Sequence, residues 1–198
     1  MTKIVAIYGS PRQGGNTDTL LDKVIEGVLP VTGSLEKFYA RSLRISGCAA
    51  CGSCNDTGIC IIDDDMQRLY PYIEEADLLF IASPVYFYGV SAQLKLIIDR
   101  SQAIWAKCSL STYKNKDKSE RNEKNERAGY LIAAGATKGD KLFFGMELTA
   151  KYFYDALGMK YGGGLLFRGL EGKSDISAKP DFMEKARIFG INIVKNRL

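Results

Sequence analysis

Cys48, Cys51, Cys54 and Cys60 fall within thirteen residues at C-x2-C-x2-C-x5-C spacing, and four thiols packed that closely can do redox or metal chemistry. Each x2 step returns a sulfur to the same concave side of a short loop, so one compact inorganic cluster can be wrapped there. Zinc also takes four thiolates, but usually from two separated C-x2-C knuckles. The chain contains no histidine. That removes mixed Cys/His zinc sites, His-based acid or base catalysis, and Ser-His or Cys-His nucleophiles. Met1-Thr2-Lys3 runs straight into the strand-like Ile4-Val5-Ala6-Ile7-Tyr8 without a secretory pattern, so a reduced, cytoplasmic setting is expected rather than a disulfide framework. Cys108, the fifth cysteine, reads as a free or buried thiol.

Three loops carry other chemistry. Gly9-Ser10-Pro11-Arg12-Gln13-Gly14-Gly15-Asn16-Thr17 joins a strand to a helix and is rich in hydroxyls, glycines and one arginine. Backbone N–H groups, a helix N-terminus, Ser10 and Thr17 hydroxyls and the Arg12 guanidinium together make an anion cradle. Gly9 and Gly14 have P-loop spacing, but Gly15 and Asn16 replace the Lys and Ser/Thr that triphosphate chemistry needs, and no G-x-G-x-x-G pattern is present. A monophosphate ester such as FMN suits the loop; a plain Gly-rich turn is the alternative. Ser83-Pro84-Val85-Tyr86-Phe87-Tyr88-Gly89 places three consecutive aromatics at a strand end, where side chains must diverge. One face can stack on a planar ring, or all three can pack on neighbouring loops or a second subunit. Gly135-Ala136-Thr137-Lys138-Gly139 offers small residues and a hydroxyl, for a polar ring edge or for an ordinary turn.

The elements that must position these loops alternate. Ile4 to Tyr8, Leu78 to Ala82 and Tyr130 to Ala134 are continuous apolar runs, the mark of strands covered on both faces, with Leu35 to Leu43 and Tyr161 to Phe167 as weaker strands. Helical stripes run from Thr17 to Leu29 with Asn16 or Thr17 as cap, from Asp63-Asp64-Asp65 through Ile73 with a kink or stop at Pro71, and from Ser91 to Trp105. Two more cover Leu142 to Leu157 and Pro180 to Val194. Tyr113 to Arg127 holds six basic and four acidic residues and no aliphatic one, and reads as a solvated, mobile loop. The order predicts a parallel α/β/α three-layer sandwich in which ligands bind at strand carboxyl ends near a switch in strand order. In 198 residues with 46% hydrophobic content one domain, residues 1–198, is expected. The net charge of +4 is mild and interspersed, which gives no case for nucleic acid. The apolar runs are far short of a membrane span.

Gly9-Ser10-Pro11-Arg12 with Gly15-Asn16-Thr17, Ser83-Pro84-Val85-Tyr86, and Gln93-Leu94-Lys95 with Asp99-Arg100 resemble the NADPH-dependent FMN reductase branch of the flavodoxin-like proteins, and the cysteine loop at 46–60 resembles the iron-sulfur flavoproteins within it. The resemblance implies a five-stranded parallel sheet of order 2-1-3-4-5 and FMN as cofactor. It implies a phosphate held by Ser10, Arg12, Asn16 and Thr17, and a ring lined by Pro84, Val85, Tyr86, Phe87 and Tyr88 and approached by Gly135, Ala136 and Thr137. It further implies a 4Fe-4S cluster on Cys48, Cys51, Cys54 and Cys60. The function expected is an FMN-dependent oxidoreductase fed by a ferredoxin-type protein or NAD(P)H. It would deliver electrons to a small acceptor such as a quinone, dioxygen or peroxide, and assemble as a homodimer or homotetramer. Catalysis then belongs to the flavin and requires no protein nucleophile. The alternatives are a cluster-free NAD(P)H-dependent FMN or quinone reductase, a flavodoxin-like non-catalytic carrier, and a zinc-stabilised interaction domain. The slightly basic charge speaks against the carrier, whose kind tends to be strongly acidic.

Overall fold

A computed structural model describes residues 2–114 and 127–197 of the chain. Five strands, β1 (Thr2–Tyr8), β2 (Thr32–Tyr39), β3 (Leu78–Pro84), β4 (Ala128–Gly135) and β5 (Lys160–Arg168), pair in parallel in the order β2-β1-β3-β4-β5. This is the expected sheet. Residues 78–82 are fully buried because helices cover both faces. Val5, Ile7, Leu79, Ile81, Leu131 and Ala133 point to one face. Ile4, Ala6, Tyr8, Phe80, Ile132 and Ala134 point to the other.

The first face is covered by α3 (Met66–Glu75), α4 (Ala92–Arg100), α5 (Gln102–Lys114) and α6 (Phe144–Ala156), and the second by α1 (Asn16–Val28) and α7 (Pro180–Lys195). A one-turn helix α2 (Cys54–Thr57) sits in the cysteine loop. Helices α1 and α7 meet at glycine: a Cβ on Gly190 would lie 2.2 Å from the Val24 carbonyl oxygen and 3.0 Å from the Gly27 Cα. Among the described residues no helix is long and apolar enough to cross a membrane.

Four sequence expectations are corrected or narrowed. The single helix over Ser91 to Trp105 is two, α4 and α5, broken at Ser101, whose buried hydroxyl turns back to the Ile97 carbonyl at 2.9 Å. Of the two outcomes expected at Pro71, a kink or a stop, the stop does not occur: α3 continues to Glu75 because Met66, Leu69 and Ile73 anchor one face in the core. Strand β2 lies at Thr32–Tyr39, earlier than Leu35 to Leu43, and a 3-10 turn at Ala40–Ser42 follows it. The charged stretch 113–127 starts inside α5 and ends at Arg127, a clasp that donates to the carbonyls of Ile73 (2.7 Å), Ala76 (2.8 Å) and Leu157 (3.1 Å); residues 115–126 lie outside the described residues.

Gly190→Ala is expected to force α1 and α7 apart and cost about 1–3 kcal/mol, the usual range for overpacking. Urea unfolding checks this, and an unchanged midpoint would contradict the close helix contact.

Candidate functional site

The loop after β1 is folded so that amide groups are left facing outward. Gly9 donates its N–H to the Ala82 carbonyl at 2.7 Å, and a Cβ there would stand 2.8 Å from Leu94 Cβ, so the position admits only glycine. Ser10, buried, accepts the Arg12 N–H at 3.1 Å and donates to the Arg12 carbonyl at 3.2 Å. Gly14 then takes φ 64°, and Gly15, not Asn16 or Thr17, is the N-cap of α1, with no side chain capping it. The first-turn amides of a thirteen-residue helix therefore face the space in front of them, where the dipole favours an anion.

That space is a cavity of about 180 Å³. Ser10, Arg12, Asn16 and Thr17 form one wall, and Pro84, Val85, Tyr86, Gly135 and Ala136 form the other. The structure thus brings together nine of the twelve residues proposed from sequence for a cofactor. Asn16 contributes through its backbone, because both ends of its amide are engaged, donating to Gly172 O at 2.8 Å and accepting from Ile176 N–H at 3.0 Å. Thr137 is exposed and lies outside the cavity lining.

Phe87 and Tyr88 are also outside it. Tyr86 and Gly89 exchange backbone hydrogen bonds of 3.0 and 2.8 Å, which makes Phe87 and Tyr88 the centre of a two-residue turn with φ of 47° and 62°. Turns with two positive φ values favour Asn and Gly; aromatic residues there are strained. The outcome is the divergence expected of three adjacent aromatics: Tyr86 lines the cavity while Phe87 stands wholly in solvent. The loop is tied to the cradle by Ser91, which caps α4 by accepting the Leu94 N–H and donates its hydroxyl to the Gly9 carbonyl.

Sequence reasoning missed two supports of the cradle. Asp18, in the first turn of α1, accepts the Gly14 N–H at 3.0 Å and pairs with Arg41 at 3.0 Å, and Arg41 also donates to the Ser10 carbonyl at 3.2 Å. Burial holds the Asp18 carboxyl above its usual range, with the Arg41 charge working against that shift. Nothing in residue type marked Arg41, because its role depends on β2 ending beside β1. Leu170, Glu171 and Lys173 close the cavity after β5. The same strand-end rule that selected the other loops would have found them.

The four cysteines line a second cavity of about 460 Å³. Left-handed Ala50 (φ 50°), Gly52 (77°) and Gly58 (69°) curl the loop, and Gly58 approaches α5 so closely that a Cβ would lie 2.7 Å from Lys107 Cβ. Cys48 and Cys51 are exposed, and Cys54 and Cys60 are half-buried. Hydrogen bonds from Ser53 lower the Cys51 thiol pKa; burial raises that of Cys54, and the charges of Cys60, Cys48 and Cys51 add to the rise. Among the described residues no three Cys, Asp or Glu side chains gather tightly enough to hold a single metal ion.

The loop's neck is pinned by α3 and α4. Asp64 accepts from Ser46 N–H (2.8 Å) and Met66 N–H (3.0 Å), Asp65 accepts from Arg44 N–H (2.7 Å), and Gln67 donates to the carbonyls of Cys60 (2.9 Å) and Ile62 (2.7 Å). Arg100, at the end of α4 and buried, donates to Asp64 at 2.6 Å. Burial of Asp64 opposes its ionisation, yet the Arg100 and backbone hydrogen bonds hold its carboxyl below the usual range.

A family profile described as NADPH-dependent FMN reductase matches residues 2–159. An iron-sulfur flavoprotein of Archaeoglobus fulgidus is 41% identical over 98 residues, 50% of this chain and 44% of the relative. The chain spans about half the length of such curated relatives. A Bacillus subtilis protein named as an NAD(P)H-dependent FMN-containing oxidoreductase, YwqN, is 26% identical across 84% of the chain and 85% of its own length. Among solved structures, an NAD(P)H:quinone oxidoreductase from Methanothermobacter marburgensis superposes with a TM-score of 0.68 at 16% identity, over 96% of this chain and 94% of that one, a likeness of fold.

Replacing Arg41 with Met leaves the Asp18 carboxylate buried without its partner, and stability at neutral pH is expected to fall by roughly 3 kcal/mol. A carboxyl whose folded pKa lies above its unfolded value near 3.8 binds its proton more tightly in the folded state, so the variant should regain stability as pH is lowered from neutral toward that value. Denaturation at a series of pH values measures this, and a loss that does not vary with pH would contradict the assignment to Asp18.

Proposed function

Because the chain belongs to the NADPH-dependent FMN reductase family, we propose that it is a flavin-dependent oxidoreductase that binds FMN in the β1–α1 cradle. The observation that carries this reading is the α1 N-terminus, uncapped by any side chain and opening on a cavity with Ser10 and Arg12 on its wall. The Asn16 and Thr17 amides, the Ser10 hydroxyl and the Arg12 guanidinium would hold the phosphate, and Lys173 adds a second cation nearby. Pro84, Val85 and Tyr86 would flank the ring on one side and Gly135 and Ala136 on the other. The strained turn would bring Phe87 and Tyr88 over its edge, with Thr137 at the mouth. When bound, FMN supplies hydride and single-electron chemistry. The protein's part is to anchor, orient and shield. NAD(P)H is the proposed donor and a small molecule such as a quinone, dioxygen or peroxide the acceptor, in a cytoplasmic setting. The exposed Phe87, Phe144 and Tyr152 offer apolar surface for assembly as a homodimer or homotetramer.

For the cysteine loop the proposal is a 4Fe-4S cluster held by Cys48, Cys51, Cys54 and Cys60. The donor set fits: four thiols line one cavity, and thiolate sulfur is the usual iron-sulfur ligand. The C-x2-C-x2-C-x5-C spacing suits a cluster, in which each thiolate meets its own iron, better than zinc, which usually takes two separated C-x2-C knuckles. Such a cluster would accept single electrons from a ferredoxin-type protein. A cluster-free NAD(P)H-dependent reductase is the second reading, favoured by the likeness to YwqN over most of both chains.

Anaerobically purified protein is expected to carry FMN absorbance near ~450 nm that NAD(P)H or dithionite bleaches, together with iron and acid-labile sulfide. Arg12→Gln should weaken FMN binding about 10–100-fold while leaving riboflavin binding unchanged, since a charge-assisted contact to phosphate is lost. Cys54→Ser should lose iron and keep flavin. Absence of flavin after reconstitution with FMN would overturn the proposal; flavin without iron would leave only the cluster-free reductase.

A further inference from the structure

The most unusual buried group outside the cradle is Arg100. Its side chain is fully excluded from solvent, and it lines the cysteine cavity from the C-terminal end of α4. One guanidinium nitrogen donates to the Ser46 carbonyl at 2.9 Å and to Asp64 at 2.6 Å; the other donates to the Ile62 carbonyl at 3.3 Å. Ser46 and Ile62 are the two ends of the loop that carries the cysteines. The Nε–H of the same group is buried and has no hydrogen-bond partner among the described residues. Tyr70, on α3, donates its hydroxyl to the Arg100 carbonyl at 2.9 Å, and Arg100 and Cys60 line the same cavity.

A guanidinium serving only as a staple would not need burial at the edge of a cavity lined by four thiols. Backbone carbonyls can be satisfied by water at a surface, and burying a charge is costly even when paired. The position makes sense where negative charge has to be stabilised on the thiolate side of the cavity. The net charge and hydrogen bonding around cluster sulfurs set its reduction potential, and an adjacent buried cation favours the electron-rich state.

We propose that Arg100 is a positioning and potential-setting residue: it closes the neck of the cysteine loop, and its charge, partly balanced by Asp64, raises the reduction potential of a cluster bound at Cys48, Cys51, Cys54 and Cys60. This rests on the cluster reading above. Arg100 and Asp64 should therefore act with opposite sign. Arg100→Gln removes the positive charge and makes reduction harder. Asp64→Asn leaves the guanidinium uncompensated and makes it easier. Arg100→Lys keeps the charge and should keep the potential. A staple without electrostatic function would instead lower iron content in both the Gln and Asn variants and shift neither potential in a charge-dependent way.

The test is spectroelectrochemical titration of the reconstituted holoprotein, with iron, sulfide and flavin counted in each sample. The expected result is a change of about tenfold in the one-electron reduction equilibrium, 59 mV, downward in Arg100→Gln and upward in Asp64→Asn. Should Arg100→Gln fail to fold, Asp64→Asn against wild type and Arg100→Lys decides, and an unchanged or lowered potential overturns the proposal. Wild-type protein that takes up no iron and sulfide without air overturns the cluster reading and this inference with it. Iron retained in every variant with equal potentials overturns this inference alone.

Discussion

The structure turns on the close approach of two strand ends. Strands β1 and β3 run side by side, Tyr8 at the end of β1 pairing with Ala82 two residues before β3 ends, and the Gly9 N–H reaches the Ala82 carbonyl at 2.7 Å because no side chain intervenes. From that point one loop leaves toward α1 and the other toward α4, in the crevice that a change in strand order opens. Ser91 then holds the two together, donating to the Gly9 carbonyl while it caps α4. A larger residue at position 9 would push apart both walls of the cavity and the start of α4. The cradle's shape is thus set by backbone packing in the sheet, before any side chain is asked to bind a ligand.

The charges around the cradle show the same economy. An acidic residue beside an anion site looks misplaced, but Asp18 holds the Gly14 amide and Arg41 holds Asp18 and the Ser10 carbonyl. The pair contributes little net charge and a defined loop, in contrast to Arg12, whose side chain makes a long hydrogen bond of 3.4 Å to the Glu171 carbonyl and is open to solvent. Fixed dipoles facing a ligand need no reorganisation when it arrives, and a preset loop lowers the ordering cost of binding.

Much of this was legible in the residues, for identifiable reasons. Strands β1, β3 and β4 announce themselves because burial on both faces demands unbroken apolar runs, and strand-end chemistry then picks out the loops after Tyr8 and Ala82 and the one that begins at Gly135. The break between α4 and α5 was hidden because Ser101 is buried and the apolar stripe continues past it through Ile104. Arg127 was lost in a charged run, although its guanidinium serves three carbonyls contributed by α3, its end, and the residue after α6. Arg100 is the sharper case. A basic residue at the end of a helix is ordinarily solvated or offsets the dipole, and only the packed loop reveals that this one is enclosed. Sequence patterns carry periodicity well and carry long-range enclosure poorly.

Helix α4 connects the two candidate sites directly. Its cap, Ser91, is bonded to the cradle at Gly9, and its last residue, Arg100, is bonded to the neck of the cysteine loop at Ser46 and Ile62. Nine helical residues rise about 13 Å at 1.5 Å each, so one short, rigid element sets the separation between cradle and cysteine cavity. Leu94 and Ile97 are fully buried along its inner face, which prevents the helix from sliding or rotating without opening the core. The two candidate sites are thereby tied to opposite ends of one packed helix. A loop linking them would have allowed the distance to vary; α4 supplies the constraint through packing that neither site has to provide for itself.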